Sequence, residues 1–260
     1  MNDKAPPSTA ICGFDADNIL IRGKNLVSDI MGKYSFTELF LLQALGTEPT
    51  ERQCHIVDAV MVTIMEHGLV PSALATRLTH HGAPESFQGA VAAGLLGVGD
   101  RYAGTAGECG TLLEEIVAAP EPERKSVALD KIRSYRQARR PVPGFGHPIH
   151  HGTDPRVARL LEISAEAGID GDYVRAMRLL ESCLQEALNR TLVINVSAAI
   201  AAVLGEAGVP ASMMRGIVLT ARCAGLVGHL FEEMNNPIAN DLWVDGRKNV
   251  RYQHEPSGSE

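Results

Sequence analysis

Apolar and polar positions recur every three to four residues over most of this chain, the spacing that turns one stripe of an α-helix toward a core. The run "SFTELFLLQAL" (35–45) opens on Ser35 with Glu38 three positions later, a pair whose side chains accept each other's backbone N–H, and it stops before "GTEPT". Thr50 is placed to cap the next run, "ERQCHIVDAVMVTIMEHG", where Ile56, Val60, Ile64 and Met65 recur at helical spacing and Gly68 suits the stop. Residues 83–118 are rich in Gly and Ala, which lets helices pack backbone to backbone, and 121–138 reads as a charged helix with Val127, Leu129, Ile132 and Tyr135 inward. Further helices are expected at 154–167, 171–190, 191–207 and 210–235. The run "TLVINVSAAIAAVLG" is apolar without alternation, and its length and alanines favour a buried helix over a buried strand. Residues 1–12 and 246–260 lack periodicity and read as arms or tails. No βαβ rhythm occurs, so the pattern predicts an all-α fold.

Composition narrows the function classes. The 260 residues, 45% apolar and 21% charged, are enough for a substantial core in one large domain or two unequal lobes. The net charge is −7 and the basic residues are scattered, which argues against nucleic acid as the partner, because phosphate backbones require a concentrated positive surface. Five cysteines, Cys12, Cys54, Cys109, Cys183 and Cys223, form no C-x-x-C pair and read as buried thiols. The N-terminus has no apolar core of signal-peptide length, and no uncharged run reaches the roughly 18 residues that span a bilayer. A cytoplasmic protein without membrane contact is expected.

The densest candidate chemistry lies in "RRPVPGFGHPIHHGTDPRVARLL" (139–161). His147, His150 and His151 form H-x-x-H-H, but Gly144, Gly146 and Pro148 make the segment a loop and no carboxylate stands at ligand spacing, so no metal is expected. Pro143, Gly144 and Gly146 stiffen and bare the backbone around His147, allowing close approach of a ligand. Thr153 or Asp154 caps the helix that follows, Pro155 occupies its first turn, and Arg156 stands where a helix N-terminus attracts anions. A phosphate site and a plain interhelical turn both fit that pattern. "GVGDRYAG" follows no strand and is a weak dinucleotide fingerprint.

The string "PGFGHPIHHGTDPR" resembles the signature of the citrate synthase superfamily, a P-G-[FY]-G-H loop followed by D-P-R. "RGKNLVSDIMGKYSFTELFLLQALGTEPT", "MEHGLVPSALATRL" and "RCAGLVGHLFE" resemble further family segments in the same order, so the likeness covers about 18–235. Citrate synthases carry "GPLHGGANE" where this chain has "DRYAGTAGE", with Ala103 at the position of the histidine. "GLLGVGDRYAG" is similar instead to the citryl-CoA lyase branch, including the lyase module of ATP-citrate lyase.

That resemblance implies a dimeric, all-α, two-lobe fold with a large lobe from about 1–110 and 216–260 and a small lobe from 111–215. It implies C–C bond cleavage of retro-Claisen type, or its reverse, on a 3-hydroxyacyl-CoA such as citryl-CoA, with acetyl-CoA and oxaloacetate on the other side. His67 and His147 match the two family histidines: His147 would stabilise oxyanion charge on the α-keto acid half, and His67 the enolate at the thioester carbonyl. The backbone of Pro143, Gly144, Phe145 and Gly146 would receive the adenine end of coenzyme A, Arg156 a phosphate, and Arg222 a substrate carboxylate by two parallel hydrogen bonds. The family aspartate is not matched: Ser197 stands there, and an unassisted hydroxyl is no base near neutral pH. Three accounts follow. Another acid, such as Glu66, Glu108 or Asp100, supplies the proton; the substrate differs; or the protein binds CoA esters without turning them over. A core serine is the plain alternative, and for Arg222 it is an ion pair on the helix surface.

Overall fold

The structure, a computed structural model, describes residues 6–99, 105–146, 154–168, 171–189 and 192–253. Among them eleven α-helices follow a small antiparallel sheet. Contacts divide the chain into two units, Met1–Val60 with Ala106–Met214, and Met61–Thr105 with Arg215–Glu260. The first 60 residues thus group with the middle of the chain and not with its C-terminal segment.

The sheet opens the first unit. Strands β1 (Cys12–Phe14), β2 (Ile19–Ile21) and β3 (Lys24–Asn25) pair in sequence order, with Cys12 opposite Ile21 and Ile21 opposite Lys24. Asp15 turns the first hairpin by accepting the backbone N–H groups of Asp17 and Asn18. The second turns on Arg22 (φ 50°) and Gly23 (φ 81°), the two left-handed residues that a tight hairpin of right-handed twist requires. The Arg22 guanidinium then donates to the carbonyl of Gln43 at 2.7 and 3.0 Å, tying the sheet to the end of α1 (Phe36–Leu45). This hairpin pair departs from the all-helical expectation. Its strands are two or three residues long, too short to show a period of two.

Helices α2 (Glu51–Met65), α5 (Thr105–Ala118), α6 (Arg124–Gln137), α7 (Pro155–Glu166), α8 (Asp172–Leu188) and α9 (Val196–Glu206) follow. Ser35 and Glu38 close the expected reciprocal cap on α1, and Thr50 and Gln53 make the same exchange at α2. At the centre lies α9, buried along Ala198–Gly205 and packed by α7 and α8; a helix apolar all round belongs inside a core. It begins at Val196 rather than 191, because Ile194 pairs with Phe145 and Asn195 caps the helix. Glu206, at its other end, accepts the N–H groups of Gly171 and Val174 at 2.9 and 3.0 Å and so caps α8.

The second unit contains α3 (Pro71–Gly82), α4 (Phe87–Leu96), most of α10 (Ala211–Asn235) and α11 (Ala239–Asn249). Helices α3 and α4 meet almost backbone to backbone: a β-carbon on Gly94 would overlap the Thr76 hydroxyl and lie 2.9 Å from the Ser72 carbonyl. That is the close packing expected of the Gly- and Ala-rich stretch. Helix α11 packs on α3 and runs on to Asn249, into the stretch read as a tail. No helix among the described residues is long and apolar enough to cross a membrane.

Candidate active site

The candidate residues fall on both units, and each group has its own geometry. In the second unit, α2 ends at Met65 and the chain turns through Glu66, His67 and Gly68 before α3 starts at Pro71. Gly68 adopts φ 75°, which favours glycine, and its carbonyl accepts the Val70 N–H at 2.8 Å. His67, half-buried, lines a small recess together with Ser72, Gly97, Val98 and Arg222. Arg222 is only 3% exposed, so it is not on a helix surface. An imidazole and a guanidinium sharing one recess can together meet a carbonyl oxygen and a carboxylate, the two functions that acyl-CoA chemistry with a keto acid needs.

The turn that carries His67 is held from behind. Helix α10 crosses the end of α2 so closely that a β-carbon on Gly225 would overlap the Met65 carbonyl. Glu66 accepts from the Gly68 N–H and lies 3.0 Å from Nε2 of His229. Burial pushes the Glu66 carboxyl up, but the Gly68 N–H and His229 outweigh it and hold the group below its ordinary value of 4.5. Behind His229 lies Arg77, which is fully buried at 1% exposure and bonded to Glu233, Glu232 and Nδ1 of His229. His229, seven residues beyond Arg222, fits either the cleft or plain packing from its spacing alone, whereas Arg77 and Glu233 belong to no motif of the linear sequence. A signal exists: on α10, Glu233 follows Leu226 and Leu230 at helical spacing, a carboxylate at a core position that requires a buried cation.

In the first unit the Pro143–Gly146 turn runs beside the start of α9. Gly144 takes φ 87°, and a β-carbon there would sit 2.7 Å from the Ala198 side chain and 2.8 Å from Cys109 Sγ, so backbone conformation and packing both require glycine. Gly146 takes φ 91° with open space on its Cα face. Phe145 is buried, so what this turn presents is backbone. Asn195 binds the two segments together: Nδ2 donates to Gly146 O at 3.0 Å, its own N–H donates to Gly144 O at 3.0 Å, and Oδ1 accepts the Ser197 N–H at 3.0 Å. Ser197 is therefore the second residue of α9, half-buried.

Asp154, fully buried, caps α7 through the Arg156 N–H, and the Arg156 guanidinium folds back on the same carboxylate at 2.8 and 3.0 Å. A phosphate at this helix end would share Arg156 with Asp154. Of the acids considered as substitutes for the family aspartate, Glu66 is engaged as described, and Glu108 accepts from Tyr135 Oη at 3.2 Å and pairs with Arg140. Burial and the Glu108 charge push the Tyr135 hydroxyl up to about 12. His147, His150, His151, Thr153, Asp100 and Ala103 lie outside the described residues. Among the described residues no three His, Cys, Asp or Glu side chains converge as metal ligands would.

The family model described as citrate synthase, C-terminal domain, matches residues 15–243. The chain belongs to the citrate synthase family. Among proteins with solved structures, this citrate synthase family member is similar to the citryl-CoA lyase from Hydrogenobacter thermophilus, with a TM-score of 0.83 and 28% identity over 97% of this chain and 96% of that one. The ATP citrate lyase of Methanosaeta concilii, determined in complex with (3S)-citryl-CoA, shares the fold at a TM-score of 0.74 and 17% identity, over 99% of this chain and 43% of that one. Among curated proteins, "Putative citrate synthase 2" of Mycobacterium bovis is 29% identical over 195 residues, 72% of this chain and 49% of that protein. The chain spans about half the length of the curated relatives it matches. Both the expected family and the expected all-α class are thereby established, with likeness to the citryl-CoA lyase branch.

Proposed function

We propose that this protein makes or breaks the C–C bond of a 3-hydroxyacyl-CoA, cleaving citryl-CoA to acetyl-CoA and oxaloacetate or acting on a related substrate. The observation that carries the reading is the recess in which His67 and Arg222 meet. In the cleavage direction the tertiary hydroxyl loses its proton and becomes the keto oxygen of oxaloacetate. The electron pair of the broken bond passes to the acetyl-CoA enolate, which takes up a proton at carbon. His67 stabilises that enolate at the thioester oxygen and Arg222 holds a substrate carboxylate. His147 stabilises oxyanion charge on the keto acid half. The Pro143, Gly144, Phe145 and Gly146 backbone receives the adenine end of coenzyme A, and a phosphate shares the Arg156 guanidinium with Asp154. No metal takes part. The working form is a homodimer in the cytoplasm.

A second reading rests on Ser197. It stands where the family aspartate belongs, and Glu66 and Glu108 are both committed to other partners. The reading is a protein of the same fold that binds CoA esters with little or no turnover. One experiment decides between them: proton NMR of the protein with acetyl-CoA in D₂O, with and without oxaloacetate, and separately with citryl-CoA. Exchange of the acetyl methyl protons, condensation or citryl-CoA cleavage is expected of the enzyme. Binding without any of these in either direction would establish the second reading.

A further inference from the structure

Arg77 is buried to 1% exposure, yet carboxylates take up only part of its donor set. Nη1 donates to Glu233 at 2.7 Å and Nη2 pairs with Glu232, while Nε and Nη2 lie 3.2 and 3.0 Å from Nδ1 of His229. A guanidinium has only donors, so Nδ1 of His229 accepts and the ring hydrogen sits on Nε2. That hydrogen faces Glu66, whose oxygens lie 3.0 and 3.1 Å from Nε2. Glu66 then accepts the Gly68 N–H. The chain of hydrogen bonds links Arg77 to His229 and His229 to Glu66, which also accepts from the backbone of the turn, and the residue it brackets is His67.

We propose that His229 is a positioning residue: held by Arg77, it fixes Glu66 and so sets the turn that points His67 into the recess shared with Arg222. The proposal rests on the reading of His67 as the group that meets the thioester oxygen. Packing alone cannot set this turn, because the Glu66 side chain is 55% exposed and Leu69 is 50% exposed, and so the hydrogen bonds have that task. His229, by contrast, is 13% exposed at its side chain and anchored on a buried cation, a rigid reference point.

The test uses two amides of different length. In His229→Gln the side-chain oxygen can accept from Arg77 while the amide N–H reaches Glu66. His229→Asn keeps an acceptor for Arg77 and is too short to reach Glu66. In the exchange and cleavage assays, His229→Asn is expected to lower kcat by about 10²-fold, the usual cost of an ångström of misplacement, with KM nearly unchanged. His229→Gln should retain most of the activity. The ring of His67, followed by its nitrogen-15 correlations and assigned by the loss of that signal in His67→Asn, should shift in His229→Asn and not in His229→Gln.

Glu66→Ala, at an exposed position that does not threaten folding, should give the same shift and the same loss. Wild-type kcat in His229→Asn with an unmoved His67 signal, or equal impairment in both amides, would overturn the proposal. Absence of turnover by the wild type, or full turnover by His67→Ala, would sink the reading of His67 instead. The His67 signal would then decide the positioning by itself: a shift in His229→Asn upholds it and no shift overturns it.

Discussion

Nη1 of Arg77 lies 2.7 Å from Oε2 of Glu233, and the other oxygen of that carboxylate accepts the N–H groups of Ile238 and Ala239 at 3.0 and 2.8 Å. One buried carboxylate thus neutralises the Arg77 side chain from α3 and caps α11. Glu233 is 4% exposed, so neither ion has water to fall back on. Removing Glu233 leaves the buried guanidinium with only the exposed Glu232 as a counter-charge and strips α11 of its cap. Glu233→Ala should therefore cost about 3–5 kcal/mol in urea unfolding, whereas Glu232→Ala, at a side chain 59% exposed, should cost less than about 1 kcal/mol.

Acid should loosen the same unit. Burial pushes the Glu233 carboxyl up, but the Ala239 N–H, Arg77 and the Ile238 N–H outweigh it and hold the group below its ordinary value of 4.5. Glu66 is lowered in the same sense. A carboxylate depressed in the folded state contributes stability that is complete above 4.5 and is lost as pH falls through its folded value. The thermal midpoint should therefore fall as the pH drops below about 4.5, and the gap between wild type and Glu233→Gln should shrink over the same window. A gap that stays constant down to pH 3 would count against this account.

Two glycines of α10, one turn apart, should respond with opposite signs. A β-carbon on Gly225 would overlap the Met65 carbonyl just before the His67 turn, while one on Gly228 meets nothing within 4 Å. Gly225→Ala should cost about 1–3 kcal/mol by overpacking and lower turnover as well. Gly228→Ala should add about 0.5–1 kcal/mol through helix propensity and leave turnover unchanged. Calorimetry paired with the exchange assay measures both.

Asn195 joins the glycine turn to α9, and its two functions are separable. Asn195→Ala loses both the cap and the bond to Gly146 O, and should cost about 2 kcal/mol. Asn195→Asp keeps a capping acceptor and loses only the donor, so it should cost about half as much. In both, hydrogen exchange at the Gly146 amide, which donates to Val193 O at 2.7 Å, should accelerate. Weaker coenzyme A binding in both variants is expected if this turn receives the adenine end.

The helical caps were legible because their partners are two or three residues apart: Ser35 with Glu38, Thr50 with Gln53, and Asp154 with the Arg156 N–H at the start of α7. The glycine turn was legible too, since Gly144 and Gly146 both take positive φ. The sheet at residues 12–25 escaped notice because its strands are held by two tight turns and by Arg22 on Gln43, not by a long alternation. Helix α9 was read five residues too long because an apolar run does not record that Ile194 is paired with Phe145. Arg222 read equally well as a carboxylate ligand or as a surface ion pair, and only its burial excludes the surface.

By itself, then, the sequence determined the helices, their caps, the glycine turn and the family, all of which depend on side chains close along the chain or on a linear motif. Tertiary structure decided what surrounds His67. Arg77 reaches His229 across 152 positions, and Gly225 meets Met65 from another helix. A buried cation can be satisfied only by whatever acceptors the fold brings to it, and no local spacing encodes which helix will supply them.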